Sequence, residues 1–79
     1  KRGIVLRRKE KEQLIERTLT TQYERFYRLA YSYVENETVA LQIVGEAAYK
    51  AIYLSDHLKR PEHAESWIEK IVKKEAKSY

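Results

Sequence analysis

An all-α fold is predicted by three observations. Glycine and proline are scarce, with two and one in 79 residues. Long runs are rich in Leu, Ala, Glu, Lys, Arg and Gln, the better helix formers. Apolar residues recur at three- and four-residue steps instead of alternating, which is the period of a helix with one buried face. A chain this short buries only roughly 60% of its unfolded surface, so one core is expected: a compact bundle of three main helices over residues 11–79, preceded by a basic segment, 1–10, with room for a short additional helix.

Each element has its own signal. From about Lys11 to Val34 the positions Leu14, Ile15, Leu19, Tyr23, Phe26, Tyr27, Ala30, Tyr31 and Val34 trace one stripe and predict a single long helix. In the turn that follows, Asn36 can cap a second helix with its side-chain oxygen, and Glu37 suits the positive end of the helix dipole. That helix carries Ala40, Ile43, Val44, Ala47, Ala48, Ala51 and Ile52, a stripe of small residues that admits a close neighbour, and it ends near Leu54. Gly45 interrupts it at about 1 kcal/mol relative to Ala. Residues 55–60 read as a loop. Pro61 belongs in the first turn of a third helix, where its missing N–H costs nothing. Ala64, Trp67, Ile68, Ile71, Val72, Glu75 and Ala76 continue that helix, with no stop signal before Tyr79. This, and the absence of an initiating Met, leads to the expectation that the natural chain is longer. Of Tyr23, Tyr27, Tyr31, Tyr33, Tyr49 and Tyr53, most are read as lying on helix stripes, where they are expected to pack in the core with their hydroxyls at the surface.

Without cysteine the chain has no disulfide framework and no thiolate metal site, which fits a reducing, cytoplasmic setting. His57 and His63 are too few for a metal centre, so neither metal nor cofactor is expected. No nucleophile–base set, phosphate-cradling glycine loop or spanning apolar stretch appears, which argues against an enzyme and against a membrane protein. The net charge of +4 is unevenly spread. Residues 1–12 hold six basic and two acidic side chains, 13–58 four and six, and 59–79 six and four. Positive ends therefore flank an acidic middle. Lys70, Lys73, Lys74 and Lys77 fall at helical spacing as a basic ridge, readable either as a solvated helix end favoured by the dipole or as a phosphate-binding surface. Trp67, the sole tryptophan, reads as core. A ring at the core's edge can also offer a face to an unstacked base.

The run Phe26-Tyr27-Arg28-Leu29-Ala30-Tyr31-Ser32-Tyr33-Val34 with its acidic turn resembles region 2.1 of the extracytoplasmic-function sigma factors of bacterial RNA polymerase. Ala40-x-x-Ile43-Val44-x-Glu46-Ala47-x-Tyr49-Lys50-Ala51 resembles region 2.2. Leu58-Lys59-Arg60-Pro61-Glu62, with Ser66-Trp67-Ile68 and Ile71, resembles regions 2.3 and 2.4, so the likeness covers about residues 11–79. It implies a binding module that docks on the beta-prime coiled coil of core RNA polymerase and recognises and melts the promoter minus-ten element. The implied polymerase-facing residues are Asn36, Val39, Gln42, Gly45, Glu46 and Tyr49. The implied DNA-facing residues are His57, Lys59 and Arg60 in the loop, and Trp67, Lys70, Lys73, Lys74 and Lys77 on the last helix. An anti-sigma factor or a partner carrying region 4 are further candidate partners.

The pattern also departs from the family. Where many members carry Asp-Ala-x-Asp-x-x-Gln-Glu, this chain has Val39-Ala40-Leu41-Gln42-Ile43-Val44-Gly45-Glu46, without charge-assisted hydrogen bonds of about 1.5–3 kcal/mol each. Glu69 stands where Tyr is usual, on or near the expected DNA face, and Lys74 where Asn is frequent. Region 4 is not among these residues: either a C-terminal half was removed, or the domain works as a separate subunit. Two functions thus stay open: a working sigma region 2, or a degenerate region-2 module that acts only by binding a regulator or partner subunit.

Overall fold

A computed structural model describes residues 6–79, and four α-helices carry the fold there, with no strand among the described residues. Helix α1 spans Arg8–Thr21, α2 Tyr23–Val34, α3 Glu37–Tyr53 and α4 Ala64–Lys77. Two short 3-10 turns, Ser55–His57 and Pro61–His63, connect α3 to α4. The all-α class and the three-helix core, α2 to α4, are as expected. Lys1, Arg2, Ile4 and Val5 of the basic segment lie outside the described residues.

The helix expected from Lys11 to Val34 is two helices, meeting at Gln22 (φ −111°, ψ 21°). The reason is local. Thr18, Thr20 and Thr21 turn their hydroxyls back onto the carbonyls of Leu14, Glu16 and Arg17 at 2.8–2.9 Å, and such back-bonding bends a helix. The joint is shallow, because Gln22 N–H still donates to Thr18 O and Phe26 N–H to Gln22 O. At about 1.5 Å per residue α1 and α2 together measure roughly 40 Å, nearly the whole 45 Å long axis of the molecule. They therefore run on almost end to end. Helix α1 begins earlier than expected, at Arg8, where Arg7 N–H donates to Glu10 Oε1 at 2.9 Å.

Helix α2 ends at Glu35, held left-handed at φ 50°, a conformation with a Cβ penalty that Gly would escape. One residue on, Asn36 Oδ1 accepts the N–H of Val39 at 2.9 Å and starts α3 as its sequence predicts. Pro61 opens a 3-10 turn that feeds α4 instead of joining its first turn directly. The helix that the apolar stripe carries toward the C-terminus stops at Lys77, where Ser78 Oγ donates to the carbonyls of Lys74 and Glu75.

The core is small and built around alanine. Ala40, Ala47 and Ala51 of α3 are fully buried and let α2 and α4 approach closely. Phe26, Ile15, Ile43, Leu58, Ile68 and Val72 fill the remaining space. Because small residues line the seams, little room is left for phenol rings. Contrary to the sequence expectation, Tyr23, Tyr31, Tyr33, Tyr49 and Tyr53 are exposed by 42–69%, and of the tyrosines on the stripes only Tyr27 is half-buried against the core. Burial lifts the Tyr27 hydroxyl above its ordinary value, with Glu37 adding to the effect.

Gly45 lies on the outer face of α3, and a Cβ built there would meet nothing within 4 Å. Its absence of a side chain is therefore a helix-propensity cost without a packing return. Gly45→Ala is expected to stabilise the domain by about 0.5–1 kcal/mol, read as a rise of roughly 2–8 °C in melting temperature. A lower melting temperature in the Ala variant would show that the helix does not simply present this position to solvent.

Candidate nucleic-acid and partner interfaces

The connection between α3 and α4 and the outer side of α4 form a basic depression of about 260 Å³. His57, Lys59 and Arg60 enter it from the connection, and Trp67 and Lys70 from α4. Leu58, 1% exposed, anchors the connection by plugging the core between these basic residues. Trp67 is half-buried, one side of the ring packed on the core. His63 and Ser66 also line the depression. Sequence reasoning set His63 aside and passed over Ser66, although 63, 66, 67 and 70 stand at steps of three, four and seven, the signature of one helix face. No carboxylate lines the depression.

From Lys70 in its lining a row continues through Lys73, Lys74 and Lys77; all four are exposed and run along the side of α4 opposite its buried residues Ala64, Ile68, Val72 and Ala76. None of the four forms an ion pair among the described residues. The acids of the same region are all engaged. Glu65 and Glu69 both bind Arg25 of α2, each at 2.7 Å. Glu75 pairs with Lys50 of α3, a contact that raises the Lys50 ammonium above its ordinary value against the opposing effect of burial. Glu62 stands 3.9 Å from Arg60. Glu69, expected on or near the DNA face, turns its carboxylate to α2, where it shares Arg25 with Glu65. A Glu69–Lys73 pair at i,i+4, which the sequence permits, does not form; Arg25 Nε donates to Glu69 Oε2 across the helix seam instead.

The six polymerase-facing candidates share the outward side of α3. Asn36, Gln42, Gly45, Glu46 and Tyr49 are exposed and Val39 is half-buried. Two have other commitments: Asn36 Oδ1 caps α3, and Gln42 Oε1 accepts the hydroxyl of Tyr79 at 2.5 Å. Gln42, Gly45 and Glu46 face Glu75, Ser78 and Tyr79 across a groove of about 430 Å³. Tyr49 stacks on Tyr53, ring centroids 6.3 Å apart and 9° from parallel. The DNA-facing candidates divide otherwise, with His57, Lys59, Arg60, Trp67 and Lys70 in the depression and Lys73, Lys74 and Lys77 along the ridge. Among the described residues no cluster of His, Cys, Asp or Glu is arranged to hold a metal, and no helix is long and apolar enough to cross a membrane.

The described residues thus form a small helical module with one lysine-rich side on α4 and a separate outward face on α3. Its sequence is 43% identical over 54 residues to RNA polymerase sigma factor SigV of Bacillus subtilis (strain 168), a stretch that covers 68% of this chain and 32% of that protein. The chain is thereby a relative of the sigma-70 family of sigma factors, as the resemblance of its motifs implies. It spans about a third of the length of that relative. No protein-family model and no solved structure matches it.

Proposed function

We propose that this domain acts in the cytoplasm as sigma region 2 in transcription initiation, docking on the beta-prime coiled coil of core RNA polymerase through the outward side of α3 and holding the opened minus-ten element on α4 and the connection before it. The observation that carries the proposal is the sorting of charge on α4. Its acids are engaged from neighbouring helices, Glu65 and Glu69 sharing Arg25 and Glu75 pairing with Lys50, whereas its four ridge lysines point to solvent unpaired. A merely solvated helix would mix its signs along the exposed face. Here the segregated lysines leave a track for phosphates. Extruding a base costs a few kcal/mol. Stacking on Trp67 and contacts from His57, Lys59, Arg60 and Lys70 in the depression offset that cost, at about 1–3 kcal/mol per stacked base. No chemical step is required of the domain, only differential binding of the open strand.

One observation favours a second reading, that of a degenerate region 2 or separate co-sigma subunit working through a partner that carries region 4. Of the six candidate residues on α3 only Glu46 is acidic, and the side-chain oxygens of Asn36 and Gln42 are already occupied. Such a face makes a weak dock on core enzyme, and a tethered partner restores avidity.

The test is titration of the 79-residue chain with a single-stranded minus-ten-like oligonucleotide and with the beta-prime coiled coil, reading Trp67 fluorescence. Both are expected to bind. DNA affinity should fall steeply with salt and drop by at least tenfold in Lys73→Glu/Lys74→Glu, since each lost phosphate contact removes about 0.7 from the single-strand salt slope. Coiled-coil binding without DNA binding selects the second reading. Binding to neither overturns both.

A further inference from the structure

We propose that Arg8 is a positioning residue for the basic depression: it holds the Asp56 carboxylate against α1 and offsets part of its charge, so that a nucleic-acid phosphate can approach. The inference rests on the reading of that depression as a DNA site. Asp56 is the sole acid in residues 55–60. It stands between Ser55, fully buried, and His57, which lines the depression. Left alone, a carboxylate one residue from His57 would disfavour phosphate bound at that residue. Arg8, 48 residues earlier, donates through Nη1 to Asp56 Oδ2 at 2.7 Å. Its Nη2 donates to the carbonyl of Tyr53 at 3.3 Å and its Nε to Glu12 Oε2 at 3.1 Å. With three acceptors on one planar guanidinium, the group is oriented as a lysine could not be.

The arrangement has a counterpart at the α2–α4 seam, where Arg25 takes up Glu65 and Glu69. Arginines from the first two helices thus engage acids of the connection and of α4, while the residues that line the depression include none. Arg8 is assigned this part by its contacts, although composition alone places it among the basic residues of an N-terminal tail.

Affinity for the single-stranded oligonucleotide, with salt and pH held constant, separates the possibilities. Arg8→Ala is expected to weaken binding roughly three- to tenfold, because it uncovers a charge near the phosphates in a screened setting. Asp56→Ala should bind as tightly as the unaltered chain or more so. The Arg8→Ala/Asp56→Ala double variant should return to within about twofold of it, and Arg8→Lys should retain part of the affinity. Arg8→Ala and the double variant both lack the clamp and should melt alike, so recovery of binding in the double cannot be an effect on folding. Unchanged binding in Arg8→Ala overturns the inference, as does a double variant as weak as Arg8→Ala, which would make Arg8 a direct DNA contact or a purely structural residue. If the unaltered chain fails to bind the oligonucleotide, it is the DNA reading itself that falls.

Discussion

Phe26→Ala is expected to lower the melting temperature by at least 12 °C, at about 3–5 kcal/mol for the lost ring and roughly 4–8 °C per kcal/mol in a domain of this size. Total stability for 79 residues is on the order of 4–12 kcal/mol at about 0.05–0.15 kcal/mol per residue, so the variant loses a large share of it. The ring is fully buried in α2 and is the only phenylalanine of the chain. Relaxation would recover little. Alanine supplies three of the five buried positions of α3, and a methyl side chain cannot extend into the space a ring vacates. A thermal melt followed by helical circular dichroism measures the effect. Tyr49→Ala, at a position 69% exposed, serves as the comparison and should shift the midpoint far less. A Phe26→Ala midpoint within about 5 °C of the unaltered protein would mean that the three-helix core is not organised around this ring.

Trp67→Ala is expected to weaken binding of single-stranded minus-ten-like DNA by roughly tenfold to a hundredfold, the equivalent of about 1–3 kcal/mol for one stacked base. Here the position of the ring matters more than its burial. One side packs on the core while the other borders a depression lined by His57, Lys59, Arg60 and Lys70. Trp67→Phe keeps a face for stacking and should retain much of the affinity, whereas a loss caused by core disruption would track melting temperature in both variants. Because substitution removes the intrinsic fluorophore, anisotropy of a labelled oligonucleotide is the suitable measurement. Equal affinity for the Ala variant and the unaltered chain would restrict Trp67 to a packing role, leaving the lysine ridge as the whole of the nucleic-acid surface.

These two residues also differ in how readily they are read. Phe26 follows from period alone: it falls in the centre of an apolar stripe and it is buried. The tyrosines on the same kind of stripe are exposed, because period says which direction a side chain points and not whether the facing helix leaves room. Alanines at 40, 47 and 51 draw the helices together and push the rings to the flanks. The bend at Gln22 was latent in the cluster of threonines, each able to back-bond to the turn before it, but a continuous apolar stripe concealed it. The depression was legible in its basic residues and in Trp67, and the i, i+3, i+4 spacing would have added His63 and Ser66.

Helical class, the start of α3 at Asn36, the buried stripe of α4 and the grouping of its lysines were all set by residues within one or two turns of one another, so local chemistry sufficed to find them. Charge balance was not local. Whether Glu69 and Asp56 oppose DNA depends on arginines 44 and 48 residues away in the chain. The nearest basic neighbours in sequence would have given a different set of pairs. Only once the helices pack do Arg25 and Arg8 reach these carboxylates. An ion pair takes the partner that the backbone brings within about 3 Å, and that distance is a property of the tertiary fold.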